Sequence, residues 1–489
     1  MKKVTISKLF LYRHRFVIGY VLLFMALIAL LFGMPLISPD GLSEGEMESA
    51  VTSYNTSIES IAEGNIVDLP YHFLQKFSIG LFGLSAYSVK LPSIIIGVIL
   101  AILLILLLNR WFKNNVAIIA SVLTVLSAPF LYIAGSGTPL IMLVFWPTLL
   151  LWLGSKIQGK TLPKTIYTIF FGIFTLLSLT TPYLCYFVAF VAFYALLHPH
   201  LRFMIKSLPK VLIILTILIA LGVAGGFVYE FITRPESLKA LAFMDDFSWG
   251  HYFANIKDAF LPFFSWNGNV ESVFLSPMIG LASLALAFTG LISTTKGFFA
   301  SRNSIASIFI VFTVLLSGLN PFSAVLIIVP FAILTAHGVR YILEKWYGLF
   351  PENPYARVFG LVPITFILGT MIISSLQHYL FGYRYNPVVA NEFNEDLSLI
   401  YKNVPEDTTI LVQGGTLSYD FYKILENGTS YTVTTTVSNV YSNSSSKRIA
   451  TLGKWPSKLE YDLSTIITSP KSINSDRIYL YEGVKKEEK

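Results

Sequence analysis

Long apolar runs alternate with short polar connections over the first three quarters of the chain. The runs fall near 16–37, 89–108, 116–133, 140–154, 166–179, 183–197, 211–230, 277–293, 304–317, 323–339 and 358–376. As helices of about 15 to 22 residues they cross, or nearly cross, about 30 Å of hydrocarbon. The pattern predicts an all-α polytopic membrane protein with about eleven transmembrane helices. "LTTPYL" interrupts 166–197 and "GLNPFS" interrupts 304–339, so each stretch reads as two short spans. Short spans are tolerated where the membrane is thinned or where their ends face a water-filled cavity, and a cavity is expected at the face carrying the breaks. From about 377 the pattern changes to β-branched runs between polar turns. Residues 377–489 therefore read as a small soluble α/β domain beside a membrane domain over 1–376.

Charge orients the spans. Lys and Arg collect in alternate connections: Lys2, Lys3, Lys8, Arg13 and Arg15 before the first run, then Arg110 and Lys113, Lys156 to Lys164, Arg202 to Lys210, Lys296 and Arg302, and Arg340 to Arg357. "AGSGTP", "TTP" and "GLNPFS" carry none. The positive-inside rule puts the N-terminus in the cytoplasm, and eleven spans put the C-terminal domain outside an integral plasma-membrane protein. The basic start resembles a signal peptide, but its apolar run is too long and lacks a small-residue cleavage site. Two large external loops remain, 38–88 and 231–276.

Composition agrees and narrows the function. Of 489 residues, 54% are hydrophobic and 13% charged, about half the charged share of soluble domains. No basic cluster interleaves with aromatics on a soluble segment, so nucleic acid is not an expected partner. The single cysteine, Cys185, excludes a disulfide framework. No His, Asp or Glu spacing reads as a metal cage, and no phosphate-cradling glycine loop is present.

The first external loop concentrates acids: "SPDGLSEGEMESAVTS" holds Asp40, Glu44, Glu46 and Glu48. Met47, Val51, Tyr54, Ile58 and Ile61 recur at helical spacing, predicting an amphipathic helix over 43–63 at the membrane interface. Asp68 and Pro70 signal the start of a second, with Tyr71, Leu74, Phe77 and Leu81 apolar. The acids have two readings. Ser43 and Glu46 form a capping box, in which Glu46 serves a backbone N–H. Alternatively, a partly desolvated carboxylate is a good base for activating a hydroxyl. Lys76, Lys90, Arg234 and His72 are the external cations available for a phosphate. Asp245, Asp246 and Trp249, in "AFMDDFSWGHYF", could line a sugar or acceptor site or form an ordinary loop.

"EGEMESA", "DLPYHFL" and "LFGLSAYSVKLPSIIIG" follow one another at a familiar spacing, and "NPFSAVLIIVPFAILTAHG" comes later. In this order they resemble the GT-C membrane glycosyltransferases, especially family 39: protein O-mannosyltransferases and the transferases that put aminoarabinose on lipid A. The likeness covers roughly 16–340. It implies inverting transfer of a sugar from a polyprenyl-phosphate-linked donor to an extracytoplasmic protein, lipid or cell-envelope glycan, without a cofactor. Aligned through Ala50, Glu46 falls on the second acid of the family's pair and Gly45 on the first; Glu44 and Asp40 are the nearby substitutes. The Arg and acid often found in the relatives' second loop are absent from "AGSGTPLIM". The competing expectation is a non-enzymatic polytopic protein, a lipid-linked sugar transporter or degenerate scaffold. A transporter should carry ionisable residues or broken helices at mid-membrane, where a charge costs about 2.5–3.5 kcal/mol on insertion scales. Here the span centres carry almost none, and the acids sit in the external loop.

Overall fold

The computed structural model describes residues 14–157, 163–206, 209–242, 248–265, 277–295, 300–349, 354–386, 392–412, 415–436, 448–453, 461–468 and 477–483, with Leu275, Gly297 and Glu352. The chain enters through α1 (Arg15–Ile37). The first loop follows with a two-residue strand β1 (Leu42–Ser43) and the helices α2 (Glu44–Asn55), α3 (Ile58–Ala62) and α4 (Leu69–Phe82). Next come α5 (Ala86–Trp111), α6 (Asn114–Val125), α7 (Ala128–Gly135) and α8 (Met142–Lys156).

Among the described residues five helices are long and apolar enough to cross a membrane: Val17–Ile37, Ala86–Trp111, Pro139–Lys156, Pro321–Leu349 and Val358–Tyr385. The run at 116–133, expected as one span, is instead the pair α6 and α7, bent by 64°, a sixth crossing if counted together. Ser127 and Pro129 at the joint account for the bend: Pro is favoured at the start of a helix and breaks one that is already running. The expected interruptions are present. Helices Thr165–Ser178 and Leu184–Leu197 flank "LTTPYL", and Arg302–Ser317 ends before the turn at "GLNPFS". The last membrane helix runs from Pro354 to Tyr385, past the compositional change at 377.

One large apolar cluster joins α1 and α5 through α8 to the helices after residue 280. Close approach there depends on glycine. A Cβ at Gly290 would lie 2.0 Å from the Leu334 carbonyl oxygen, and one at Gly338 would lie 2.2 Å from that of Leu286. Such small-residue contacts let helices pack by van der Waals attraction where lipid removes the hydrophobic drive.

After β2 (Phe393–Asn394) the chain builds a five-stranded sheet from β3 (Thr409–Val412), β4 (Thr432–Thr434), β5 (Arg448–Leu452), β6 (Tyr461–Thr468) and β7 (Arg477–Gly483). The strand order is β4-β3-β5-β7-β6, with β3 parallel to both neighbours and β7 antiparallel to both of its own. Helix Thr416–Lys423 links β3 to β4. Its Phe421 and Tyr422 are buried in a second apolar cluster, against which Met47, Val51 and Tyr54 of α2 pack. The helix expected over 43–63 is thus broken between Asn55 and Ile58, and the apolar side of its first part is partly buried against protein, whereas Ile58 is exposed. β1 and β2 also pair, Leu42 opposite Asn394 and Ser43 opposite Phe393. Gly41 makes the approach possible, since a Cβ on it would lie 2.4 Å from the Asn394 carbonyl oxygen. In contrast α4 keeps Phe73, Leu74, Phe77 and Leu81 exposed, as an interfacial helix should.

Candidate active site

Glu46 is 1% exposed and lies where the first and second loops meet. The capping box is formed. Ser43 N–H donates to Glu46 Oε2 at 2.9 Å, and Glu46 N–H donates to Ser43 Oγ at 3.3 Å. The other carboxylate oxygen is also taken: Gly137 N–H donates to Oε1 at 2.6 Å. The second loop, which lacks the Arg and acid of relatives, thus supplies a backbone donor to this carboxylate. A Cβ at Gly137 would lie 2.7 Å from Val89 Cγ1, so the approach requires glycine. Glu44 and Asp40 are exposed. Asp40 Oδ1 accepts the Gly41 N–H at 3.1 Å.

Beneath Glu46 lies a buried polar network that sequence reading missed. Gln75 Nε2 donates to the carbonyls of Val89 (2.9 Å) and Gly137 (2.7 Å). Its Oε1 accepts from Ser49 Oγ (2.8 Å) and Ser53 Oγ (2.6 Å). Every hydrogen-bonding position of the amide is filled. Because Ser53 spends its only hydrogen on Gln75, its 2.7 Å contact with His72 requires Nδ1–H of His72 to be the donor. Burial lowers the His72 pKa to about 4. His72, a sequence candidate for phosphate binding, is therefore neutral near pH 7. The signal was present in the sequence: Ser49, Ser53, His72 and Gln75 sit at three- and four-residue spacing on facing helices.

Tyr71 is fully buried, its hydroxyl 2.8 Å from Ser93 Oγ. Burial, and after it the negative fields of Glu46 and Asp68, push that hydroxyl above its ordinary range, so both carboxylates act on the same phenol. Asp68, expected as a helix cap, makes no capping bond. It takes φ +47° and is buried. Its N–H donates to the Thr180 carbonyl at 2.8 Å, in the "LTTPYL" break.

The cation candidates separate. Lys90 is 3% exposed; its Nζ donates to the Pro39 carbonyl at 3.0 Å and stands 5.7 Å above the Phe393 ring. Lys76, half-buried, donates to the Thr56 carbonyl. Arg234 packs over Gly64, whose Cβ would meet the guanidinium at 2.6 Å, and so ties the second large loop to the first. Trp249 is exposed and 6.0 Å from the Tyr252 ring, apart from this cluster. Asp245 and Asp246 lie outside the described residues. Among the described residues no three His, Cys, Asp or Glu side chains come together as a metal site.

The family described as dolichyl-phosphate-mannose-protein mannosyltransferase matches residues 69–224. No curated protein matches. Two solved structures of ArnT from Cupriavidus metallidurans are similar over 96% of this chain and 98% of theirs. One, bound to undecaprenyl phosphate, is 13% identical with a TM-score of 0.54; the other, in the apo state, is 14% identical with a TM-score of 0.51. With that fold along nearly its whole length and the mannosyltransferase match from α4 through the early spans, the chain has the architecture of the GT-C superfamily of membrane glycosyltransferases.

Proposed function

We propose that the chain transfers a sugar from a polyprenyl-phosphate donor to an acceptor hydroxyl on the external face of the plasma membrane, with inversion. In this reading the catalytic membrane domain, expected over 1–376, runs on to the end of the helix at Tyr385, with eleven crossings, some of them short, and a cytoplasmic N-terminus. The residues after that helix form an external unit. The observation that carries the reading is the buried ammonium of Lys90 beside the acid-bearing first loop. A charge so deeply buried is costly unless paired, and its only described partners are one carbonyl and one ring. A phosphate delivered from the membrane would complete it. A solved structure of the same fold is bound to undecaprenyl phosphate, which agrees with a lipid-phosphate ligand.

The reaction needs few parts. The acceptor oxygen bonds to the sugar C1 from the face opposite the phosphate. The C1–O bond to phosphate breaks and the lipid phosphate leaves with the electron pair, held by the cation. The acceptor proton passes to a carboxylate. Purified protein should release free polyprenyl phosphate from a polyprenyl-phosphate sugar only when an acceptor is present, and a lipid-linked sugar should co-purify by mass spectrometry. Movement of the intact donor across a vesicle membrane with no release would overturn transfer in favour of transport.

A further inference from the structure

Resting on the transfer reading, the choice of proton acceptor can be carried further. Glu46 accepts backbone N–H bonds on both oxygens, from Ser43 and from Gly137, so each oxygen already has a donor. Asp68 is built differently. It is 6% exposed, and its Oδ1 meets no hydrogen-bond donor among the described residues. Its side chain is hydrogen-bonded to Thr181. The Thr181 hydroxyl oxygen accepts the Trp146 indole N–H at 3.1 Å, which leaves its single hydrogen for Asp68.

The backbone around Asp68 is specialised as well. Asp68 (φ +47°) and Tyr183 (φ +63°) are both left-handed without being glycine. Such residues persist where surrounding structure over-determines them, and they cluster at functional sites. Asp68 N–H is held by Thr180, Tyr183 N–H by the Leu241 carbonyl (3.1 Å), and the Tyr183 hydroxyl donates to the Asn320 carbonyl (3.3 Å). The first loop, both helix breaks and the second large loop are therefore tied together through Thr180 and Tyr183, on either side of the Thr181 that bonds this carboxyl.

We propose that Asp68 is the base of the transfer: its Oδ1 takes the acceptor's hydroxyl proton as that oxygen bonds to the sugar C1, and Thr181 positions it. Burial raises its pKa to about 7, with the Thr181 hydrogen bond pulling the other way. That range suits a base working near neutral pH. The described groups linked to it are Thr181, which carries the Trp146 indole N–H, and Tyr71 on its own helix, whose hydroxyl feels the fields of both Asp68 and Glu46.

The test uses the full-length protein in detergent or nanodiscs, after wild-type transfer has been shown; no wild-type transfer would sink the function reading and not this assignment. Asp68→Asn and Asp68→Gly both tolerate a left-handed backbone, and Gly favours it, so at least one should fold. Each should lose about 10²–10⁴-fold in turnover with the donor KM nearly unchanged. Wild-type turnover should rise with pH through a limb near 7. In Thr181→Val that limb should move to higher pH, a shift that a merely structural Thr181 would not produce. Wild-type turnover in a folded Asp68→Asn or Asp68→Gly protein, or a limb that stays fixed in Thr181→Val, overturns the proposal.

Discussion

Glu46 shows how one residue satisfies a local rule and a distant one together. Its place three residues after Ser43 made the capping box legible, but nothing in sequence announced Gly137, ninety-one positions away, as the second donor. That pairing changes the expected behaviour of Glu46→Gln. An amide caps one N–H with its oxygen but turns an NH2 toward the other, leaving a buried donor unsatisfied at a cost of about 1–3 kcal/mol. Glu46→Gln should therefore melt at lower temperature while keeping turnover below that transition. Unchanged melting with turnover reduced 10²-fold or more would make Glu46 the base instead. Lys90 carries a separate prediction. Lys90→Met keeps the length and apolar stem but removes the charge. Hydrogen bonds to charged groups contribute about 1.5–3 kcal/mol, so the donor KM should rise about 10–100-fold, with Lys90→Arg in between. A donor KM equal to wild type would remove Lys90 from the phosphate site. Asp68 was visible in sequence only as a helix-start signal, because burial against Thr181 arises from tertiary structure alone.

At the scale of elements, periodicity identified the helices better than their surroundings. Met47, Val51 and Tyr54 do form one side of α2, and Tyr71 does lie in α4. A hydrophobic stripe, however, reads the same whether lipid or protein covers it. On α4 Leu74, Phe77 and Leu81 stay exposed while Tyr71 is buried; on α2 the stripe packs against the cluster that holds Phe421 and Tyr422. The breaks at "LTTPYL" and "GLNPFS" were legible because Pro and polar residues punctuate apolar runs. The bend between α6 and α7 was not, since Ser127 and Pro129 sit inside an otherwise apolar stretch. The covered side of α2 gives a direct test. Phe421 is 1% exposed, and Phe→Ala in a core costs about 3–5 kcal/mol. Phe421→Ala should loosen the joint between the sheet and α2, seen as faster amide exchange across Glu44–Asn55, with exchange in α5 unchanged. Equal protection of α2 in both proteins would return that helix to the lipid interface.

At the scale of the whole molecule, the pairing of β1 with β2 and the shared cluster around Phe421 make the C-terminal sheet and the first loop one body. They must then lie on the same side of the membrane, which ties two sequence-level inferences together. In the proposed topology the first loop is outside, because the basic N-terminus precedes a single crossing by α1. The sheet reaches that side only if the number of crossings before it is odd. Eleven is odd, and it requires the short helices Thr165–Ser178 and Leu184–Leu197 to cross separately, as must the two segments around "GLNPFS". Merging one such pair into a single crossing would put the sheet in the cytoplasm, away from α2, against the contacts observed. Ser464→Cys tests this, since Ser464 is exposed on β6 and the native Cys185 is partly buried in an apolar helix. In intact cells an impermeant thiol reagent should label Ser464→Cys as fully as in lysed cells, and leave wild type unlabelled. Labelling only after lysis would place the sheet, and with it the acid-bearing loop, inside, and would overturn the cytoplasmic N-terminus while leaving the count of crossings odd.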